Sequence, residues 1–339
     1  MKPIIAITMG DPGGIGPEII LKSLRELSLD EAIYMVIGSE EVFRFASEHL
    51  NLTFRPHRIP TLERSFLNEG EINFLDITRE AEALYEKSFG KPKPKGEVFS
   101  VGQVSKWNAA LAFSTLKVAA YQAACELIQG VVTAPIHKGA VQLIDPKFYG
   151  HTEYLAKIAR VKEFAMMFVS DRLRVTLVTI HLPLKKVPRA LKTDEILTKI
   201  LLTNEFLKRR LKIDSPKIGV AALNPHGSEF GTEDEEIILP AVKLAQRKGV
   251  NAQGPLSGDQ IFYDAYERRL DAVVAMYHDQ GLAPFKMIAF REGVNVTLGL
   301  PFLRTSPDHG TAFDIAYQNK AFPTAFINSI RLIEKALTD

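Results

Sequence analysis

The sequence predicts an α/β fold in two lobes, and three observations carry that expectation. Short apolar runs such as Ile4 to Met9, Val131 to Pro135, Pro216 to Leu223 and Ala272 to Met276 alternate with stretches of helical periodicity, the pattern of parallel strands joined by crossover helices. Each run ends in a loop dense in glycine, proline, histidine or charge, and open α/β sheets bind ligands at that carboxyl edge. At 339 residues the chain also exceeds one comfortable core. We expect a first lobe from residues 1–140 plus 285–339 and a second from 141–284.

Taken in order, Ile4 to Met9 is a strand, Gly10-Asp11-Pro12-Gly13-Gly14-Ile15-Gly16 a turn, and Pro17 the first position of a helix reaching about Leu27. Free N–H groups at such a helix start suit an anion, although a tight turn without a ligand would read the same. The glycine spacing is not that of the G-x-G-x-x-G dinucleotide fingerprint. Ala32 to Ile37 and Leu52 to His57 read as strands around a helix from Glu41 to His49, and Phe89 to Glu97, FGKPKPKGE, as a surface loop. Ser105 caps a helix expected to run to Gln129, with Trp107, Phe113, Tyr121 and Cys125 packed inward.

The next strand ends in Ile136-His137-Lys138-Gly139, where Lys138 either meets a ligand or is a solvated cation. Gly150-His151-Thr152-Glu153 opens a helix that Thr152 could cap, with His151 at its positive end. Ala165 to Val169 and Leu173 to Thr179 read as a hairpin or two adjacent strands. Helices follow over Thr193 to Leu211, Glu233 to Lys248, Thr311 to Ala316 and Thr324 to Leu337, and Gly254 to Tyr263 carries Asp259 in a turn.

Composition narrows the function. Lys plus Arg of 42 against Asp plus Glu of 40 leaves a net charge of +2, too balanced for a polyanion groove, so nucleic acid is not an expected partner. A single cysteine cannot form an intrachain disulfide, which fits a reducing compartment. No run approaches the ~18 apolar residues of a membrane span. The apolar part of MKPIIAITMG is short and ends at Asp11, so it reads as the first strand of a cytoplasmic protein.

The polar groups concentrate between Asp271 and Arg304, where His278, Asp279, Lys286, Asn295 and Arg304 hang on an apolar frame. His181, His226 and His278 each follow an apolar β-like run, and parallel strands would bring those three ends to one sheet edge. Two readings stand: three imidazoles holding a divalent cation with open coordination positions, or three separate strand-end hydrogen bonds. Asp279 and Asp259 are available to orient the imidazoles. No nucleophile elbow or Walker motif occurs, which disfavours Ser or Cys hydrolysis.

The segments ITMGDPGGIGPE, VTAPIHKGAV, GHTEYLA, HLPL, LNPHG, YHDQGLAPFK and GVNVTLGLPFLRTSPDHGTAFDIA together resemble the 4-hydroxythreonine-4-phosphate dehydrogenase family of pyridoxal phosphate biosynthesis. The resemblance extends from Ile4 to about Ala316. It implies an isocitrate/isopropylmalate dehydrogenase-like fold, a homodimer with the active site in the cleft between lobes and shared between subunits, and a small phosphorylated hydroxy acid as substrate. It implies a divalent metal (Zn, Mg or Co) on His181, His226 and His278, one of them reached from the partner subunit. Substrate contacts fall on His151, Thr152, Lys286, Asn295 and Arg304, with Lys286 also the candidate acid or base. NAD or NADP is implied outside a Rossmann motif, on the loop carrying Ser306, Asp308, His309 and Gly310. The segment after LNPHG departs from the family pattern at Ser228-Glu229-Phe230-Gly231, which bears on substrate preference. Dehydrogenases of 4-phosphorylated threonate or erythronate, dehydrogenases of cis-dihydrodiols, and a metal-dependent small-anion binding protein remain as alternatives.

Overall fold

Strand and helix alternate along the whole chain in the computed structural model, which describes every residue except Glu97, Ser228 and Asp339. Two units form, Met1–Val161 with Leu300–Thr338, and Lys162–Gly299. The first begins with β1 (Ile4–Thr8), α1 (Gly16–Leu24), β2 (Ile33–Gly38), α2 (Glu40–Leu50), β3 (His57–Ile59), β4 (Ile72–Asp76) and α3 (Thr78–Phe89). It continues with α4 (Lys106–Ala124), β5 (Gly130–Thr133), α5 (Lys138–Val141) and α6 (His151–Ile158). The second holds β6 (Ala165–Val169), β7 (Arg174–Leu177), α7 (Val187–Ala190), α8 (Thr193–Arg209), β8 (Ile218–Ala221), α9 (Leu239–Arg247), β9 (Ala252–Leu256), α10 (Gly258–Tyr266), β10 (Ala272–Ala275), α11 (His278–Ala289) and β11 (Val294–Leu298). The chain then returns to the first unit with β12 (Leu303–Pro307) and α12 (Thr324–Thr338).

In unit 1 the strands lie in the order β3-β4-β2-β1-β5-β12, and every pairing is parallel. The burial pattern explains the apolar runs: all residues of β1, β2, β5 and β12 are buried, as expected where helices cover both faces. Unit 2 orders its strands β11-β6-β7-β10-β8-β9. The segment β7-β10-β8-β9 is parallel, while β6 and β7 form the expected antiparallel hairpin and β11 pairs antiparallel with β6. Its core joins Val175 and Leu177 of β7 and Val273 and Ala275 of β10 to Leu282 and Phe285 of α11. That close approach depends on Gly281, where a Cβ would lie 2.7 Å from Leu177 and 2.8 Å from Val175.

Several local expectations are corrected. The helix read from Ser105 to Gln129 is α4 alone: Ser105 does cap it, its hydroxyl accepting the Asn108 N–H at 3.0 Å, but it stops at Ala124 and Glu126 turns left-handed at φ 62°. Cys125, at that end, and Tyr121, within α4, are exposed rather than core, the latter by 65 %, while Trp107 and Phe113 are buried as expected. Thr152 does not cap α6; Gly150 occupies the cap position and Thr152 is buried inside the first turn. In place of a helix over Thr311 to Ala316 there is one 3-10 turn, Phe313–Ile315. Asp259 lies within α10 rather than in a turn. Of the proline- and lysine-rich loop and the segment after LNPHG, Glu97 and Ser228 lie outside the described residues.

Candidate active site

Unit 1 builds a cationic cradle from three elements. Arg304 on β12 is 3 % exposed, and its Nε and Nη2 donate to Thr133 Oγ1 at the end of β5, at 3.2 and 2.7 Å. The pairing Thr305↔Val132 and Arg304↔Val131 puts Arg304 beside the strand that leads into α5. His151 starts α6, and its Nε2 is buried with no hydrogen-bond partner. Burial first, then the charges of Arg304 and Lys138, holds the His151 imidazole well below the ordinary histidine range, so the ring is neutral near pH 7. Burial also pushes Arg304 down to about 10, against the opposing pull of the Glu153 carboxylate. A buried imidazole nitrogen without a partner is costly unless a bound group completes it.

The glycine-rich loop closes on this same region. Asp11 N–H donates to Pro135 O at 2.9 Å, Ile15 N–H to Thr311 O at 2.9 Å, and Tyr317 Oη to Pro12 O at 2.7 Å. Asp11 itself is 1 % exposed, one carboxylate oxygen accepting from Gly13 N–H at 2.9 Å and the other without a partner. Burial raises it to about 6, with the Gly13 hydrogen bond and the nearby His137 and Asn108 opposing. Of the candidate cofactor residues, Ser306 is buried in β12, Asp308 is half-buried, and His309 and Gly310 are exposed. His309 Nδ1 donates to Gly310 O at 3.1 Å, and nothing lies within 4 Å of where a Gly310 Cβ would stand. Phe313, just beyond, stacks on His137 with centroids 5.6 Å apart. An open glycine backbone next to a buried glycine-rich turn fits a nucleotide approached by loops rather than by a dinucleotide fingerprint.

Unit 2 carries the three histidines as the sequence reading expects, each beyond the carboxyl end of one of three adjacent parallel strands, β7, β10 and β8. Their loops are tied together. Thr179 Oγ1 donates to Met276 O at 2.8 Å, and Gln280 Nε2 donates to Ala222 O at 2.7 Å while its Oε1 accepts Met276 N–H at 2.7 Å. Buried Asp234 holds the LNPHG loop by accepting the Leu223 N–H at 2.7 Å and the Asn224 N–H at 3.2 Å. Gln280 and Asp234, like Thr133 and Glu153 in unit 1, were not given site roles by the sequence reading. Only Gln280, in YHDQG, carried a signal there.

His181 and His278 come within 6.0 Å, centroid to centroid. His278 Nδ1 bonds Asp279 Oδ1 at 2.7 Å, so Nε2 is the ring nitrogen that could meet a cation, and a carboxylate behind an imidazole is an arrangement also found at metal sites. His226, in the left-handed region at φ 56°, instead lines a cavity of about 1020 Å³ with Asp259, Tyr263, Tyr277, Gln280 and Met287. Among the described residues no three His, Cys, Asp or Glu side chains of the one chain are grouped to hold a metal. Lys286 lies on α11, its ammonium 5.8 Å from the Phe290 ring, and Asn295 on β11 has a buried Oδ1 without a partner.

The sequence pattern of the family described as "Pyridoxal phosphate biosynthetic protein PdxA" matches residues 30–333. The chain belongs to this family. A relative from Desulforapulum autotrophicum, named 4-hydroxythreonine-4-phosphate dehydrogenase, is 43 % identical over 98 % of this chain and 94 % of its own length. Another, from Pectobacterium atrosepticum, is named D-threonate 4-phosphate dehydrogenase and is 39 % identical over 98 % of both chains. The crystal structure of 4-hydroxythreonine-4-phosphate dehydrogenase from Klebsiella pneumoniae superimposes with a TM-score of 0.84 at 37 % identity, covering 100 % of this chain and 99 % of that one. The family's α/β architecture is thus the one built here. No helix among the described residues is long and apolar enough to cross a membrane.

Proposed function

We propose that this chain is an NAD- or NADP-dependent, divalent-metal-dependent dehydrogenase of 4-phosphohydroxy-L-threonine, oxidising its 3-hydroxyl to a 3-keto acid that decarboxylates to 3-amino-2-oxopropyl phosphate in pyridoxal 5'-phosphate synthesis. Within the family's range, the observation that carries a phosphorylated substrate is the buried Arg304 beside the orphaned His151 Nε2. A phosphoryl group would give His151 Nε2 the partner it lacks and would lie beside the Arg304 guanidinium at the N-terminus of α6.

When bound, a divalent cation such as Zn, Mg or Co on His181 and His278, with His226 supplied by a second copy of the chain, stabilises negative charge on the substrate oxygen, and NAD or NADP accepts the hydride. The exposed His226 and the incomplete pair in one chain support a homodimer with a shared site. The chain's own groups bind and orient. Arg304, His151 and Thr152 hold the phosphoryl end, and fixing a small anion removes the entropy of finding the reactive pose. Lys286 and Asn295 are assigned to the carboxylate and C2 end, Asn295 Oδ1 offering an acceptor to the substrate's amine or hydroxyl. Lys286 is also the available proton carrier: oxidation releases the hydroxyl proton, and after the C1–C2 bond breaks its electron pair forms an enolate that takes a proton at C2. Ser306, Asp308, His309 and Gly310 are assigned to the nicotinamide cofactor.

A second reading, 4-phospho-D-threonate or erythronate as substrate, is favoured by the relatives named D-threonate 4-phosphate dehydrogenase at nearly the same identity. Chelator-stripped protein assayed for NADH or NADPH formation, with each substrate and with Zn²⁺, Mg²⁺ or Co²⁺ restored, separates the readings. Metal-dependent turnover of 4-phosphohydroxy-L-threonine alone supports the first. Turnover only of the aldonate phosphates supports the second, and neither turnover nor cofactor binding leaves a metal-dependent anion-binding protein.

A further inference from the structure

The cradle in unit 1 contains one cation that the substrate assignments above leave unused. Lys138 is the first residue of α5, five residues beyond the carboxyl end of β5, and among the described residues its ammonium makes no hydrogen bond or ion pair. It lies close to Gly150: a Cβ built there would lie 3.4 Å from Lys138 Cε, 3.6 Å from Lys138 Nζ and 3.0 Å from Glu153 Oε2. Lys138 therefore reaches the start of α6, where the buried Nε2 of His151 lacks a partner and where the Lys138 charge acts on the imidazole together with that of Arg304.

Counting charges decides what Lys138 does. Glu153 carries a negative charge that acts on buried Arg304, and the two offset each other. His151 is neutral. Without Lys138 the cradle has no net charge, and with it the cradle is cationic. A neutral cradle with an arginine still offers hydrogen bonds, but it has no electrostatic preference for a dianion over a monoanion.

We propose that Lys138 is a further anion-binding residue of this site, the one whose ammonium makes the cradle formed with His151, Arg304 and Glu153 selective for a phosphoryl dianion. The proposal rests on the phosphate-binding reading of the site and adds to it the residue that sets charge selectivity. It assigns Lys138 to contact with the phosphoryl group and not to hydride or proton transfer.

The test uses inorganic phosphate and the full-length protein without metal or nicotinamide cofactor, so its result does not depend on turnover. In isothermal titration, Lys138→Met is expected to bind phosphate about tenfold or more weakly than wild type, and Lys138→Arg within a few-fold of it. Lys138 is exposed, so neither variant removes a core contact. A second readout follows the His151 ring by NMR: removal of the neighbouring ammonium moves its titration upward in Lys138→Met and leaves it in place in Lys138→Arg. Wild type and Lys138→Met binding phosphate equally, with the His151 titration unmoved, would overturn the role of Lys138 alone. A wild type that binds no phosphate at millimolar concentration overturns it together with the phosphate-cradle reading, whereas failure of the dehydrogenase reading would show separately as absent turnover.

Discussion

In unit 1 three polar groups are sealed: Arg304 is 3 % exposed, Asp11 1 %, and the orphaned His151 Nε2 is out of contact with water. In unit 2 the groups at the same carboxyl edge of a parallel sheet stand open, His181 and His226 exposed and His278 half-buried. Both edges arise from the same βα physics, yet one buries its polar groups and the other leaves them open to solvent. A buried guanidinium must have its partners built in, because an unmet charge in low dielectric is expensive. Imidazoles lose little by facing water, so donors of this kind need no partner built into their own chain.

The sharpest way to break this contrast is Arg304→Met. Loss of the buried guanidinium is expected to lower kcat/KM by roughly 100- to 1000-fold. Because burial holds Arg304 below its ordinary value, the same change should leave Tm equal to or above wild type, read by thermal unfolding. A large drop in Tm would mean that Arg304 serves the fold and not an anion.

A smaller effect concerns Asp11. Its folded value of about 6 lies above the unfolded carboxylate value, so the native state binds more protons between the two and stability falls as pH rises through that window. Asp11→Asn is therefore expected to gain about 1–3 kcal/mol at pH 7 to 8 and little near pH 4, measured by denaturant unfolding. His151, held low by burial, works in the opposite sense: its neutral form favours the native state, and that contribution is lost as pH falls below the ordinary histidine range. A pH-independent difference for Asp11→Asn would contradict the burial account of this loop.

Much of this was legible in the sequence because the strands that carry the site are fully buried and so read as plain apolar runs, as β1, β5, β8 and β10 do. Strands also went unread at β11 and at β12, LRTSP, which is fully buried although its residues are largely polar, and β4 and β9 have mixed composition for local reasons. β4, INFLD, buries Asn73, whose amide donates to Tyr34 O and Asn68 O, so a polar residue sits where a strand pattern expects an apolar one. β9, AQGPL, contains Gly254 and Pro255 and stands at a sheet edge, where a missing N–H is tolerated. β3 is three residues long and was placed too early, at Leu52 to His57. The histidine edge was readable since each ring follows its strand within five residues. The cradle was not, because Thr133, Lys138, Glu153 and Arg304 meet only once β12 returns to pair with β5. The exposure of Cys125 follows from a helix end that a left-handed glutamate sets, and no residue type signals that, while Tyr121 is exposed within α4 itself.

The most direct test of a shared histidine site is complementation. His226→Ala and His278→Ala are each expected to be inactive, since each removes one donor from every site of a symmetric dimer. Co-expressed, half of the dimers are hybrids, and each hybrid keeps one site with His181 and His278 from one chain and His226 from the other. Metal-dependent NADH or NADPH formation should return to about a quarter of the wild-type rate. Co-expressed variants that stay as inactive as the separate ones would contradict the division of the metal site between two copies.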